Sequence, residues 1–490
     1  MSKRWLKAEY IPLWFSMLVM WMTLFIYVAG PIRWIDSWNI AEFLTILLLI
    51  LYFLAFAAGY LFHSRKNSLK SIQQTNLSDT DVWKKILRVA IWINLFLTVT
   101  NAQIYSSTTD IFSLFGQAIK GIISPSAVYY GKDASSRMGS IAVWITFFYS
   151  PIMYITMFLS VFKFTLLEKK EKIAVVFTFV TEMARWLSVG TNKGLFDILL
   201  LFLTFLLVFC MHFIGRKECM TEKNKIVLKR FAIIVLAALL LFFFFFSIAI
   251  SSRVNGAYEE ERYSSFPYNL IPRGMRFFVD KAVSYLTHGY NNMERIIENC
   301  EFKWTFGFGN SRFAMQVVNM VLGIDLTNRT YPYQLQNYGV DPLVNWHSAY
   351  SWIASDITFV GIIVLMFFVG YFMCGLAYDV INHVDPVAMA LLYLMIMMVT
   401  NASCTNYVLA YTNGFSGFWG LVCIRWLQKH ERVWKIFWKF TQNIFGKCAC
   451  YGCNFLKRCK RHVSFLLKFC QNIGKKLQIK MKNLLNKTHK

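Results

Sequence analysis

Seven side chains in this sequence have the type and placement to act on an anionic or hydroxyl-bearing group. Arg253 stands in Ser251-Ser-Arg-Val-Asn-Gly, and Arg273 and Arg276 follow in Pro272-Arg-Gly-Met-Arg. A guanidinium grips two phosphate oxygens at once, whereas an ammonium acts as a point charge. Pairing with the acidic run 259–261 is the competing use of these arginines. Upstream, Glu182-Met-Ala-Arg185 leads into Gly190-Thr-Asn-Lys193-Gly-Leu-Phe-Asp197. That turn would offer backbone N–H groups and a cation to a phosphate head. The plainer alternative is an Arg185–Glu182 pair one turn apart beside a snorkelling lysine. His347, in Asn345-Trp-His-Ser-Ala-Tyr, titrates near neutrality and suits either a base that takes a hydroxyl proton or ordinary polar surface. Asp356 follows nine residues on, at the membrane boundary. An unpaired carboxylate there is costly, so it is expected to pair with an outer arginine or line a wet cleft.

The elements that must hold these residues are membrane helices. Of 490 residues, 57% are hydrophobic and only 16% charged, far from the balance of an average soluble domain. Apolar runs of about 20 residues can cross the hydrocarbon core as helices. Ten are expected: 11–30, 40–62, 86–104, 140–162, 173–190, 195–214, 231–250, 351–376, 387–403 and 406–424. The run 173–190 carries Glu182 and Arg185, and the last two are barely separated. The segment Ile111–Ser124 is apolar but short, and suits an interfacial helix. The basic stretch Ser2–Lys7 leads into a full-length span, so the first helix is expected to stay as an anchor.

With the N-terminus inside, the segments 1–10, 63–88, 163–172 and 215–230 hold nineteen Lys and Arg, while the outer connections before residue 251 hold five: Arg33, Lys120, Lys132, Arg137 and Lys193. The positive-inside bias therefore puts both termini in the cytoplasm and the interruption 251–350 outside. That interruption is balanced, with nine basic and nine acidic residues, and rich in rings, with 18 aromatics. Amphipathic runs at Arg276–Tyr290 and Ser311–Leu322 and turn residues such as Gly307, Gly309 and Pro342 predict a folded cap over the membrane body. The expected class is an all-α polytopic integral membrane protein of about ten transmembrane helices with a large extracytoplasmic loop. Its parts are helices 1–7 in 1–250, the loop in 251–350, helices 8–10 in 351–425 and a basic, aromatic-rich cytoplasmic tail in 426–490.

Most of the formal charge of +25 belongs to that tail, where 17 basic residues and one acid lie between Arg425 and Lys490. Trp434, Phe437, Trp438 and Phe440 alternate with the cations, a pattern suited to anionic lipid. Nucleic acid also demands a basic surface, but a tethered aromatic strip fits lipid better and no nucleic-acid partner is expected. The spacing Cys448-x-Cys450-x2-Cys453-x5-Cys459 lacks two clean C-x2-C pairs, leaving zinc, lipidation and plain thiols as alternatives. Cys300 and Cys404, both outside, are the one candidate disulfide pair. The acidic residues of the loop are dense only at 259–261, where they are consecutive rather than converging, so neither a metal nor a cofactor is expected.

Three segments resemble the bacterial oligosaccharide repeat-unit polymerases, the Wzy-type O-antigen and capsule polymerases, with a more distant similarity to O-antigen ligases. They are Gly190-Thr-Asn-Lys-Gly-Leu-Phe-Asp before an apolar span, Tyr285-Leu-Thr-His-Gly-Tyr with Phe306-Gly-Phe-Gly-Asn in the outer loop, and Asn345-Trp-His-Ser-Ala-Tyr with Asp356-Ile-Thr-Phe-Val-Gly opening the next span. The resemblance covers roughly 140–425. It implies a GT-C-like body in the bacterial cytoplasmic membrane that joins undecaprenyl-diphosphate-linked repeat units at the outer face without a metal. On that resemblance Arg253, Arg273 and Arg276 suit the diphosphate and His347 suits the base or an acceptor contact; His347 and Arg253 are the catalytic candidates, and Lys193, Arg185, Arg273, Arg276 and Asp356 the substrate-binding ones. Lys193 departs from the pattern, since many relatives carry Arg there. A flippase and a chain-length regulator are the candidate protein partners. The rival readings are a flippase of lipid-linked oligosaccharide, a ligase, and a non-catalytic anchoring protein. Transporters commonly show repeated halves, and no repeat is visible in this sequence.

Overall fold

A computed structural model describes residues 8–430 except 33, 35–38, 68–80, 131–140, 216–225, 251–268, 343–344 and part of 227–250. The chain divides into two units, Met1–Arg425 and Trp426–Lys490. The second lies almost wholly outside the described residues, as do the tail's cysteines and the basic strip, and the architecture below is that of the first.

The described residues form helices and turns with no strand. The long elements are α1 (Ile11–Ala29), α2 (Ile40–Asn67), α3 (Asp81–Ser106), α4 (Ile111–Ile123), α5 (Pro125–Tyr130), α6 (Ile141–Phe162), α7 (Lys169–Leu187) and α8 (Lys193–Gly215). After them come α9 (Arg273–Asn299), α10 (Arg312–Leu322), α11 (Ala349–His383), α12 (Pro386–Asn401) and α13 (Thr412–Lys429).

Among the described residues, six helices are long and apolar enough to cross a membrane: Ala8–Ala29, Ile40–Lys66, Ile86–Ser106, Trp144–Phe162, Lys193–His212 and Ala349–His383. They coincide with six of the ten expected spans. The expected span 173–190 is helical within α7, but Glu171, Lys172, Glu182 and Arg185 keep that helix below membrane apolarity. The run 387–403 becomes α12, which has only 16 residues. In 406–424 the first residues are turns and helix begins at Thr412. Half of the run 231–250 lies outside the described residues, and the described half is helical.

Helix α12 is enclosed as well as short. Nearly every side chain from Val387 to Met397 is buried, on all faces, as expected of a helix at the centre of a bundle. Around it, α2 and α11 cross in backbone contact: a Cβ on Gly59 would overlap the Phe367 carbonyl, and one on Gly370 would overlap that of Phe56. Small residues are the way membrane helices come this close, because packing rather than water drives their association. Helix α11 is cut at Thr358, whose φ of 66° and ψ of 164° are non-helical. The phenol of Tyr52 donates to the Phe359 carbonyl at 2.7 Å, tying α2 to the residue just after the break.

The described part of 251–350 folds onto this body. The run Arg276–Tyr290 lies within α9, which rests on α1 and α2 through Tyr290, whose ring meets Tyr27 edge-on at 5.7 Å, and through Glu294, which accepts from the Tyr27 hydroxyl at 3.1 Å. Trp34 Nε1 donates to Thr287 at 2.8 Å. The expected run Ser311–Leu322 is α10, N-capped by the Ser311 hydroxyl. The expected interfacial helix is α4, capped by Asp110 and burying Leu114, Ala118 and Gly121 while Phe112 and Ile123 stay exposed. Cys300 and Cys404 are free thiols, so the candidate disulfide does not form.

Candidate functional site

Helices α7 and α8 form a hairpin whose turn is set by Gly190. Its φ of 71° is left-handed, where a side chain is disfavoured, and the Thr191 N–H returns to the Trp186 carbonyl at 3.0 Å. The hairpin brings the last turn of α7 against the first turn of α8. One residue before that turn of α7 ends, Trp186 lies between two cations: its ring is 4.6 Å from the Arg185 guanidinium and 4.9 Å from the Lys193 ammonium. Both contacts are cation–π interactions, which strengthen where water is excluded.

Each cation also has a carboxylate. Arg185 pairs with Glu182 Oε1 one turn back, and the same oxygen accepts from Trp186 Nε1 at 3.0 Å. Lys193 reaches Asp197 Oδ2 at 2.8 Å, one turn on. The other Asp197 oxygen accepts from the Tyr407 hydroxyl, while Tyr393 donates to the Asp197 carbonyl at 3.1 Å. Rings complete the surround: Tyr407 is 3.9 Å and Tyr411 5.0 Å from the Lys193 ammonium, and Tyr105 is 5.3 Å from the Arg185 guanidinium. Lys193 is thus held on several sides. Arg185 is less completely used, since its Nε is buried with no acceptor among the described residues.

These residues line a cavity of about 340 Å³ walled by α3, α6, α7, α8, α12 and the segment 407–414. Asn94, Asn101 and Thr146 add polar groups to the wall from α3 and α6. The volume lies in the range of small-molecule sites, and a mainly apolar wall with few convergent polar groups is the usual composition of one.

The sequence-derived candidates divide between this cavity and the part of the chain that folds onto the body between α8 and α11. Arg185 and Lys193 come together in the cavity wall. Arg253 lies outside the described residues. Arg273 opens α9 and is exposed, and Arg276 is half-buried with Nε donating to the Ile271 carbonyl at 3.0 Å. Neither lines the cavity. His347 is 2% exposed, with no hydrogen bond to either ring nitrogen. Burial first, then His288, Arg312 and Arg295, hold its pKa down to about 3, so the imidazole is neutral. It is therefore not ordinary polar surface, one of the two uses the sequence allowed.

Asp356 neither pairs with an arginine nor lines the cavity. Its carboxylate accepts from the backbone N–H groups of Gly309 and Asn310, both at 2.9 Å, from Asn310 Nδ2 at 2.7 Å and from the Thr305 hydroxyl. It pins the turn 305–310, in which Phe306 and Gly307 have φ of 58° and 85°. That turn in turn braces the cavity wall, because Asn406 donates to the Asn310 carbonyl and Ser311 to the Leu409 carbonyl at 2.6 Å. Asp356 is thus joined to the cavity only through the segment that carries Tyr407.

Sequence reasoning set Glu182 aside as the partner of Arg185 and missed Asp197, Trp186 and the tyrosines. The spacing 182–185–186 and 193–197 already placed these five residues on one hairpin, but Tyr407 is 210 residues from Asp197 and nothing local signals it. Among the described residues no three His, Cys, Asp or Glu side chains converge to hold a metal ion. Comparison with protein families, curated proteins and solved structures finds no match.

Proposed function

We propose that this protein polymerises undecaprenyl-diphosphate-linked oligosaccharide repeat units into O-antigen or capsular polysaccharide at the outer face of the bacterial cytoplasmic membrane. The observation that carries the reading is the cavity in which Arg185 and Lys193 stand among Trp186, Tyr105, Tyr407 and Tyr411. Cations suit a diphosphate and flat rings suit sugar faces, and the six apolar helices would keep a polyprenyl tail within reach. Ten spans, a GT-C-like body, cytoplasmic termini and a metal-independent glycosyl transfer belong to the same proposal. Arg185 and Lys193 steady the departing diphosphate, with Arg253, Arg273 and Arg276 as an outer approach for the anion. Anionic lipid under the basic tail, a flippase and a chain-length regulator are the proposed partners.

A second reading has one observation in its favour. The break at Thr358 in α11 is the kind of discontinuity that transporters place at their binding sites, which suits a flippase of the same lipid-linked units. Deleting the gene in a strain of known surface glycan separates the two. A polymerase leaves single repeat units on the surface, a ligase leaves full-length polymer on the lipid carrier, and a flippase leaves units trapped inside. Unchanged glycan would overturn all three.

A further inference from the structure

Glu182 has one carboxylate oxygen committed and one open. Oε1 takes both the Arg185 guanidinium and the Trp186 indole N–H, and Oε2 has no hydrogen-bond partner among the described residues although the side chain lines the cavity. The side chain is 26% exposed, so that oxygen meets the cavity rather than being sealed in packing. Asp197, the other carboxylate in the wall, has both oxygens occupied, by Lys193 and Tyr407. His347, the base expected from sequence, is buried and does not line the cavity.

We infer that Glu182 is the catalytic base of the cavity, taking the proton of the acceptor sugar hydroxyl on Oε2. The inference rests on the polymerase reading and adds to it the residue that moves the proton. The acceptor O–H bond breaks and its proton passes to Glu182. The freed oxygen bonds to the anomeric carbon of the donor glycan, while the bond from that carbon to the diphosphate oxygen breaks and its electron pair leaves on the diphosphate. Arg185 and Lys193 line the same wall and oppose the charge that develops there. Glu182 then releases its proton to water as the site empties. Positioned bases contribute about 10²–10⁴-fold to rate. The bond from Trp186 and the ion pair with Arg185 fix the rotamer, so one oxygen is held while the other works.

The test uses the full-length protein in lipid vesicles, with lipid-diphosphate-linked repeat units extracted from cells that lack this gene. Wild-type protein should join these units. Glu182→Gln should lose at least about 100-fold in turnover while still retaining the labelled units on the protein. Glu182→Ala should regain turnover when formate is supplied, a rescue that a misfolded variant does not show. Failure of the wild-type protein to join the units would overturn the polymerase reading and this inference with it. A Glu182→Gln protein with full turnover, or a Glu182→Ala protein that formate leaves inactive, would overturn the role of Glu182 and leave the polymerase reading standing.

Discussion

Two carboxylates at comparable points of two helices, Asp356 near the start of α11 and Glu182 near the end of α7, have opposite surroundings. Asp356 is buried and accepts four hydrogen bonds from the turn 305–310, so it has no capacity left for another molecule. Glu182 spends one oxygen on Arg185 and Trp186 and keeps the other beside an empty volume. A fully satisfied buried charge organises the chain around it, whereas a half-satisfied one next to a cavity is ready for a ligand. The same contrast separates Arg185, with its unpaired Nε, from Lys193, which is enclosed by a carboxylate and three rings.

The sharpest way to break this contrast is to exchange the two sides' expected phenotypes. Arg185→Ala should cost about 10²–10³-fold in polymer formation, the scale of losing one charge-stabilising donor, with membrane abundance measured alongside. Wild-type glycan length would remove Arg185 from the site. Asp356→Ala should act the other way, lowering stability by about 3 kcal/mol because buried donors lose their acceptor. Thermal unfolding in detergent and proteolysis at residues 305–310 read that loss, and an unchanged melting profile would show that the carboxylate does not pin the turn.

His347 supplies a smaller effect with a defined sign. Its pKa is about 3 in the folded protein against an ordinary value of 6.5, so the unfolded chain binds the proton first as pH falls. The stabilisation is complete above pH 6.5 and declines below it toward pH 3, by up to about 1.4 kcal/mol per pH unit. Replacing His347 with Gln should flatten that part of the stability curve. If wild type and variant show the same acid slope, His347 is not the buried neutral group described. Smallest of all, Tyr407→Phe removes one donor to Asp197 and should cost about 1 kcal/mol, seen as a small fall in melting temperature. An unchanged melting temperature would show that this bond adds nothing to the cavity wall.

Six spans were legible because the length of an apolar run maps directly onto bilayer thickness, and the hairpin cations were legible because charge at a span's end is unusual. Helix α12 was placed to within two residues, but its sequence does not separate enclosure by other helices from contact with lipid, since Val387 to Met397 are apolar on every face. The role of Asp356 was hidden by distance along the chain, since its donors lie 46 to 51 residues upstream in a turn whose own sequence says only that it bends. Glu182 was visible and undervalued. An i,i+3 pair reads as a closed unit until three dimensions show which oxygen the arginine leaves unused.

The cut at Thr358 has a consequence for how deeply the molecule sits. Unbroken, the 35 residues of α11 would run about 50 Å, well beyond a hydrocarbon layer of about 30 Å. The residues before the cut are almost all enclosed, and large outward-facing side chains begin at Ile357, Val360 and Val364. The portion after the cut is about 37 Å long, which a steep tilt of about 36° would fit to that layer. The kink thereby separates an enclosed stretch of α11, on which the turn 305–310 is docked through Asp356, from a longer stretch with an apolar outward face.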